Sequence, residues 1–387
     1  MRTLIILAIL LSHFAVAQSV SDKIQVKALM DRVNGYQLAN PWKEFDDNWI
    51  RGTYYAGVIA CYQATGDKKF LKQCDELGDR LKWQLPRLKP DQTASGVNLL
   101  TLGQTWLESY LISRKKSKIQ PLIAHLDHPG IRNPVSNPLE WYFESGRRYV
   151  DGLFTGPPTL AMLYSITRSE KYLYWMEACF WDVYGELYDQ EEGLFYRDVR
   201  YMPGYSVKKD ARYLRPDSIP HSEARTSYAY QRTATGAKVI WSRGNGWAFA
   251  GIARILKYLP KDYPNSERYL KVYLRMAEEL MKRQQPDGFW YQNLADPLDY
   301  AILESSGTGF FTYGLAWGIN QGLLDREEYL PVVQKSWAAL VSAVSGDGKV
   351  QWGQPVGSAP YKVLKEDSHE YVSGTFLLAA SEVYKLK

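Results

Sequence analysis

Three observations on this sequence predict an all-α fold of the (α/α)6 toroid type, a ring of helical hairpins around a central cleft. The first is a recurring phrase: Gly66-Asp-Lys-Lys-Phe-Leu71, Ser169-Glu-Lys-Tyr-Leu173, Ser266-Glu-Arg-Tyr-Leu270 and Arg326-Glu-Glu-Tyr-Leu330, with a weaker copy at Arg114-Lys-Lys-Ser-Lys-Ile119. A phrase returning at about 50 or 100 residues marks a repeated supersecondary unit. The second is a contrast within each unit. The helix before the phrase is apolar nearly all round, as in Ala56-Gly-Val-Ile-Ala-Cys61, Thr159-Leu-Ala-Met-Leu163 and Ala248-Phe-Ala-Gly-Ile252; the helix after it is amphipathic, as in Tyr269 to Leu280. Helices without a polar face belong inside, those with one outside. The third is the count. Inner helices are expected to start near Ile50, Thr101, Asp151, Gly244, Gly307 and Tyr371, and the N-terminal helix at about Asp22 to Val33 supplies the outer partner that the last one lacks.

In chain order, Met1-Arg2-Thr3, the apolar run Leu4 to Leu11 and Ala15-Val16-Ala17 read as a secretory signal over residues 1–17. The expectation is a mature chain from Gln18, a single catalytic domain over 18–387, exported to the periplasm and free of the membrane once cleaved. The apolar run is shorter than the ~20 residues a span requires. No Ser/Pro/Gly linker or charge block divides the rest. Long inserts at Asp189 to Lys238 and Asp347 to Lys365, rich in Tyr, Gly and Pro, are expected to wall the cleft. Cys61, Cys74 and Cys179 are odd in number, and Cys61 and Cys74 sit in apolar helical stretches, so buried free thiols are expected rather than a staple or a metal site. Without Arg2 the chain carries 46 basic and 42 acidic residues, a dispersed balance that argues against a nucleic-acid surface and tolerates an acidic substrate. No cofactor or metal is expected.

In such a ring the cleft lies where inner helices begin. Asp151, in Tyr149-Val-Asp-Gly-Leu-Phe-Thr-Gly-Pro-Pro158, places a carboxylate at the third inner start among apolar neighbours. Burial there would raise its pKa into the range of a general acid, although the position is also that of an N-cap. Trp241-Ser-Arg-Gly-Asn-Gly-Trp247 opens the fourth. Its glycines, each unfavourable in a helix by roughly 1 kcal/mol against Ala, permit close backbone approach. Arg243 can fork two hydrogen bonds onto a carboxylate, and Trp241 and Trp247 offer faces for a sugar ring. Asn245 is expected to bond sugar or water, or else to cap the helix. Other helix starts offer Asp46 and Asp47, Glu304 in Glu304-Ser-Ser-Gly-Thr-Gly309, and His369-Glu-Tyr371. An ordinary glycosidase needs a carboxylate pair, and which of these acids faces Asp151 is left open.

Seven patches in order, Phe45-Asp-Asp-Asn-Trp, Asp151-Gly-Leu-Phe-x-x-Pro-Pro, Leu194-Phe-Tyr-Arg-Asp, Trp241 to Trp247, Gln284-Gln-Pro-Asp-Gly288, Glu304-Ser-Ser-Gly-Thr-Gly-Phe-Phe311 and Gln354-Pro-Val-Gly-x-Ala-Pro360, resemble the unsaturated glucuronyl and rhamnogalacturonyl hydrolases of glycoside hydrolase families 88 and 105, with 105 the closer. The resemblance implies removal of a 4,5-unsaturated uronic acid from lyase-generated oligosaccharides by hydration of the C4–C5 double bond. The aspartate matching Asp151 would protonate C4 and direct water at C5. Arg243 would bind the uronate or an adjacent hydroxyl, Trp241 and Trp247 would wall the site, and Glu304 and Asn98 would join the substrate-binding set. The chain departs from the pattern at Val97-Asn-Leu-Leu-Thr-Leu-Gly103, where an acid is replaced by Asn98, at Arg147-Arg-Tyr-Val before Asp151, and at Val372-Ser373. Two added arginines and a lost acid point to a more anionic substrate or to lost activity. Two other classes therefore stand beside the hydrolase: a toroid that binds acidic oligosaccharides without cleaving them, and a β-eliminating lyase. A lyase base would fall to Tyr, His221 or His369, since His125 and His128 belong to an outer-helix loop.

Overall fold

The computed structural model describes residues 22–42, 48–85, 97–128, 133–136, 148–205, 231–299, 301–357, 359–360 and 362–386. The expected signal, Asp46, Asp47, Arg147, His221 and much of the first insert lie outside the described residues. Six inner helices are α2 (Trp49–Thr65), α4 (Thr101–Ser113), α6 (Gly152–Thr155) continued by α7 (Pro157–Thr167), α9 (Ser242–Tyr258), α11 (Ser305–Asn320) and α13 (Glu370–Val383). Six outer helices are α1 (Lys23–Ala39), α3 (Lys68–Arg80), α5 (Gln120–Asp127), α8 (Glu170–Leu187), α10 (Ser266–Arg283) and α12 (Arg326–Ser342). Each inner helix packs against the next and α13 packs against α2, which closes the (α/α)6 ring. Among the described residues the β-structure named as strands is one short antiparallel pair, β1 (Tyr188–Asp189) with β2 (Leu194–Phe195), in the first insert.

The inner helices are buried over all but their last turns because they are apolar nearly all round and are narrow where they cross. Gly246 meets Phe310, Gly309 meets Thr375 and Gly374 meets Thr53, each within the first turns of its helix, so the inner helices run in one direction. A Cβ on Gly374 would stand 2.5 Å from the Thr53 carbonyl oxygen, and one on Gly57 would stand 2.5 Å from the Gly374 carbonyl oxygen. No rotamer relieves a clash with backbone, so only glycine permits this approach. The outer helices show the expected stripe: on α10, Tyr269, Val272, Tyr273, Met276, Ala277 and Leu280 are buried.

Two elements depart from the sequence-based expectation. The third inner helix is broken: α6 ends at Gly156, and Pro157 and Pro158, which have no N–H to donate, restart the chain as α7. The N-terminal helix runs to Ala39 rather than Val33, because Asn34 and Gln37 are buried and bonded on its inner side. Asn34 donates to Gln73 at 2.8 Å and accepts from the Tyr54 hydroxyl, and Ser373 donates to Gln37 at 2.8 Å. The weak phrase at 114–119 yields a 3-10 turn, Lys116–Lys118, before the short α5. All three cysteines are free and buried. No helix among the described residues is long and apolar enough to cross a membrane.

The crossing geometry makes a signed prediction. Gly374→Ala is expected to lower stability by about 1–3 kcal/mol through overpacking. Gly185→Ala, on α8 with no atom within 4 Å of the added methyl, is expected to raise it by up to about 1 kcal/mol through helix propensity. Urea denaturation followed by circular dichroism of the two variants measures both signs.

Candidate active site

Because the inner helices are parallel, their N-termini gather at one end of the ring, where unsatisfied N–H groups and aligned peptide dipoles favour negative charge. Asp151 lies there, immediately before α6, with helical backbone angles and no side-chain capping bond, so it is not spent as an N-cap. Its side chain keeps 19 % of its surface open, yet Oδ2 is shielded and has no hydrogen-bond partner. Burial raises its carboxyl above the ordinary range, against the opposing charges of Arg197 and Arg243.

Arg197 follows β2, and its backbone carbonyl accepts from Val150 N–H at 2.9 Å, which ties the insert to the start of α6. Its Nε stands 3.6 Å from Asp151 Oδ2, and Nη1 donates to Asp198 at 2.5 Å. Asp198 is fully buried and also accepts from Arg200 Nε and Nη2, both at 2.9 Å. Burial pushes the Asp198 carboxyl up, but Arg200 and Arg197 outweigh it and hold the group well below the usual carboxylate range. The Tyr149 hydroxyl donates to Asn98 Oδ1 at 3.0 Å, and the Arg197 guanidinium lies over the Tyr149 ring at 5.6 Å. Burial and the neighbouring Asp151 charge keep that hydroxyl protonated far above neutral pH.

The Trp241 to Trp247 motif takes a different part from the one its composition suggests. Trp241 is 0 % and Trp247 1 % exposed, so neither presents an open face to a sugar. Trp241 Nε1 donates to Gln354 at 3.0 Å, while Trp247 packs among Phe154, Phe310, Trp49 and Tyr371. The Asn245 amide is spent on backbone: it donates to the carbonyls of Phe195 at 2.9 Å and Trp241 at 3.0 Å, and accepts from Phe195 N–H at 2.8 Å. It pins β2 to α9. Glu304 is also buried and caps α11, accepting from the N–H groups of Ser306 and Gly307, and from Gln354 N–H.

Arg243 is as deeply buried as the two indoles, 2 % exposed. Its guanidinium lies between the Trp241 ring (4.6 Å) and the Tyr371 ring (5.1 Å) and donates to the carbonyls of Gln354, Pro355 and Gly357 and to the Tyr371 hydroxyl. These partners are neutral oxygens, so its charge is not cancelled by them. His369 caps α13 by accepting Glu370 N–H at Nδ1, 2.9 Å, which leaves Nε2 as the protonated nitrogen. Burial and the Arg243 charge lower its pKa to about 4, so the imidazole is neutral at physiological pH. Arg148, one of the two added arginines, is turned away: it pairs with Asp182 at 2.6 Å and Glu186 at 2.9 Å on α8 and adds no charge to the cleft.

The structure thus brings Asp151, Asn98 and Arg243 to one end of the ring; Trp241, Trp247, Asn245 and Glu304 are buried there, with Asn245 and Glu304 bonded to backbone. Arg197 lies within the patch Leu194-Phe-Tyr-Arg-Asp, and neither it nor Tyr149, Tyr371 or Gln354 has a role that the sequence alone assigns.

Comparison with known proteins agrees with this architecture. The family model described as Glycosyl Hydrolase Family 88 matches residues 18–211 and 222–387. A relative from Alteromonas sp. (strain LOR), an unsaturated 3S-rhamnoglycuronyl hydrolase, is 32 % identical over 344 residues, covering 87 % of this chain and 77 % of its own. A solved glycosyl hydrolase family 88 protein from Bacteroides vulgatus is 28 % identical with a TM-score of 0.77, covering 94 % of this chain and 99 % of that one. A solved polysaccharide lyase is 27 % identical with a TM-score of 0.76, covering 94 % and 97 %.

Two outcomes test these placements. Asn245→Ala strands the N–H and C=O of Phe195, and at about 1–3 kcal/mol per unsatisfied buried group it is expected to lower stability by about 2–4 kcal/mol in urea denaturation. For Asp151, whose folded pKa is raised, the protonated form is favoured in the native state. Its contribution to stability therefore weakens as pH rises from the unfolded carboxylate pKa through the raised folded value. Asp151→Asn is expected to gain stability relative to wild type with rising pH across that window, as read by melting temperatures between pH 4 and 8.

Proposed function

The chain belongs to glycosyl hydrolase family 88, and from that membership we propose that it removes a terminal 4,5-unsaturated uronic acid from oligosaccharides produced by polysaccharide lyases. The observation that carries the reading is Asp151: a carboxyl with a raised pKa, one shielded and unpartnered oxygen, and a cationic surround. A protonated carboxyl in such a place can deliver its proton to C4 of the sugar. Water then adds its oxygen to C5 and returns a proton to the carboxylate, so that one water is consumed across the double bond. The C5 hemiketal opens, the ring oxygen becomes a hydroxyl on C1, and the resulting hemiacetal collapses to release the rest of the oligosaccharide. No carboxylate nucleophile is called for, which suits a neutral Asn98 at the same end of the ring, bonded to Tyr149.

The substrate is an acidic oligosaccharide. Arg243, with neutral oxygens for partners, and the inner-helix N-termini supply positive charge for the uronate. The name of the Alteromonas relative makes rhamnose joined to the unsaturated uronate the first aglycone to try, with and without sulfate. We further propose that residues 1–17 act as an export signal and that 18–387 form a single catalytic domain working in the periplasm.

The solved lyase gives weight to a second reading, β-elimination by the same cleft. Elimination needs a base, and the described candidates are poorly disposed to it. His369 uses its free nitrogen lone pair to cap α13, and the Tyr149 hydroxyl is held protonated.

Ultraviolet absorbance of the conjugated enoate separates the readings. The wild type is expected to abolish it on an unsaturated uronyl-rhamnose oligosaccharide, with Asp151→Asn slower by about 10²–10⁴-fold, the usual worth of a general acid. A gain of absorbance on the intact polysaccharide would establish the lyase. Unchanged absorbance with calorimetric binding would establish a binding protein.

A further inference from the structure

Asp151 Oδ2 and Arg197 Nε face each other across 3.6 Å, and both atoms are buried without a hydrogen-bond partner. An arginine and an aspartate free to move would close to a hydrogen-bonded pair at 2.7–2.9 Å, and two orphaned buried polar atoms carry a cost that a shift of under 1 Å would remove. The shift is blocked from the other side. Asp198 accepts from Arg197 Nη1 at 2.5 Å, and Asp198 is itself fixed by its bonds to the backbone N–H, Nε and Nη2 of Arg200. The Arg197 carbonyl is meanwhile bonded to Val150 N–H, one residue before Asp151. Backbone and side chain are thus both held.

Resting on the hydrolase reading above, we infer that Arg197 is a positioning residue for Asp151. It is held by Asp198 and Arg200 at a distance that lets the carboxyl keep its proton until it is given to C4 and then stabilises the carboxylate that remains. Closed to hydrogen-bond distance, Arg197 would lock Asp151 in the ionised form and leave no acid. Absent, it would leave a carboxyl too reluctant to ionise. The other groups acting on Asp151 are Arg243 from α9, whose charge also favours ionisation, and Asp198, whose charge opposes it. Tyr149, on Asp151's own segment, carries a raised pKa of its own in which the Asp151 charge takes part.

The inference predicts shifts of opposite sign. The alkaline limb of kcat/KM, read from loss of enoate absorbance, reports ionisation of the free enzyme's acid. Arg197→Met removes a cation and is expected to move that limb up by about 1–2 pH units, the usual effect of an opposite charge at this range. Asp198→Asn releases Arg197 toward Asp151 and is expected to move it down, while Arg197→Lys stays near the wild type. A merely structural Arg197 would lower activity or melting temperature in all three variants and leave the limb in place, which would overturn the proposal. Should the wild type leave the enoate untouched, the hydrolase reading fails on its own. The positioning role is then read directly from the Asp151 carboxyl titration, by carbon-13 aspartate NMR against Asp151→Asn. The same opposite displacements are expected there, and coincident titrations would reject it.

Discussion

Closure of the ring at the α13–α2 crossing is the constraint on which the rest of the structure depends. Reciprocal glycines, Gly57 and Gly374, bring the backbones within reach of each other's carbonyls. The first and last inner helices are far apart in sequence, so this contact joins the ends of the chain. It sets Arg51 Nε 2.6 Å from Glu370 and Trp49 5.5 Å from Tyr371. Tyr371 in turn receives Arg243, and Arg243 holds the loop of Gln354 to Gly357. The cleft wall is therefore assembled from segments that local structure alone could not have brought together.

The cleft end of the ring is polar in a particular way. Acids there are either neutralised by arginine, as Asp198 and Glu370 are, or engaged with N–H groups, as Glu304 is. Asp151 differs in facing its arginine across 3.6 Å, where Glu370 and Asp198 meet theirs at 2.6 and 2.9 Å or less. In a site of low dielectric that difference decides which carboxyl stays protonated. Asn98 is neutral at this end of the ring and accepts from the Tyr149 hydroxyl. The site thereby keeps a surplus of cationic character suited to an acidic sugar.

The tryptophan and asparagine motif is buried rather than open. Indoles flanking Arg-Gly-Asn-Gly have the inventory of a sugar platform, yet Trp241 and Trp247 are buried and Asn245 is fully engaged with backbone. Trp241 lies against the Arg243 guanidinium, 4.6 Å from it, while Trp247 fills the ring between Phe154, Phe310 and Tyr371.

Periodicity and repetition determined the ring from sequence, because an apolar helix has no stable place except inside and an amphipathic one has none except at a surface. The start of each inner helix and the candidacy of Asp151 followed from the same pattern. Two local errors have local causes: Gly156-Pro157-Pro158 breaks the third inner helix, and side-chain bonds from Asn34 and Gln37 extend the first outer one. What tertiary structure alone decided is the company each polar group keeps. Arg197 is 46 residues from Asp151 in sequence and 3.6 Å from it in space, and nothing in the Leu194 to Asp198 patch says which carboxylate it faces. Burial was equally out of reach, since the same tryptophan can wall a cleft or fill a core. Sequence carries the period that builds the helices; which face of a turn meets the cleft depends on the rotation each helix adopts when its neighbours pack against it.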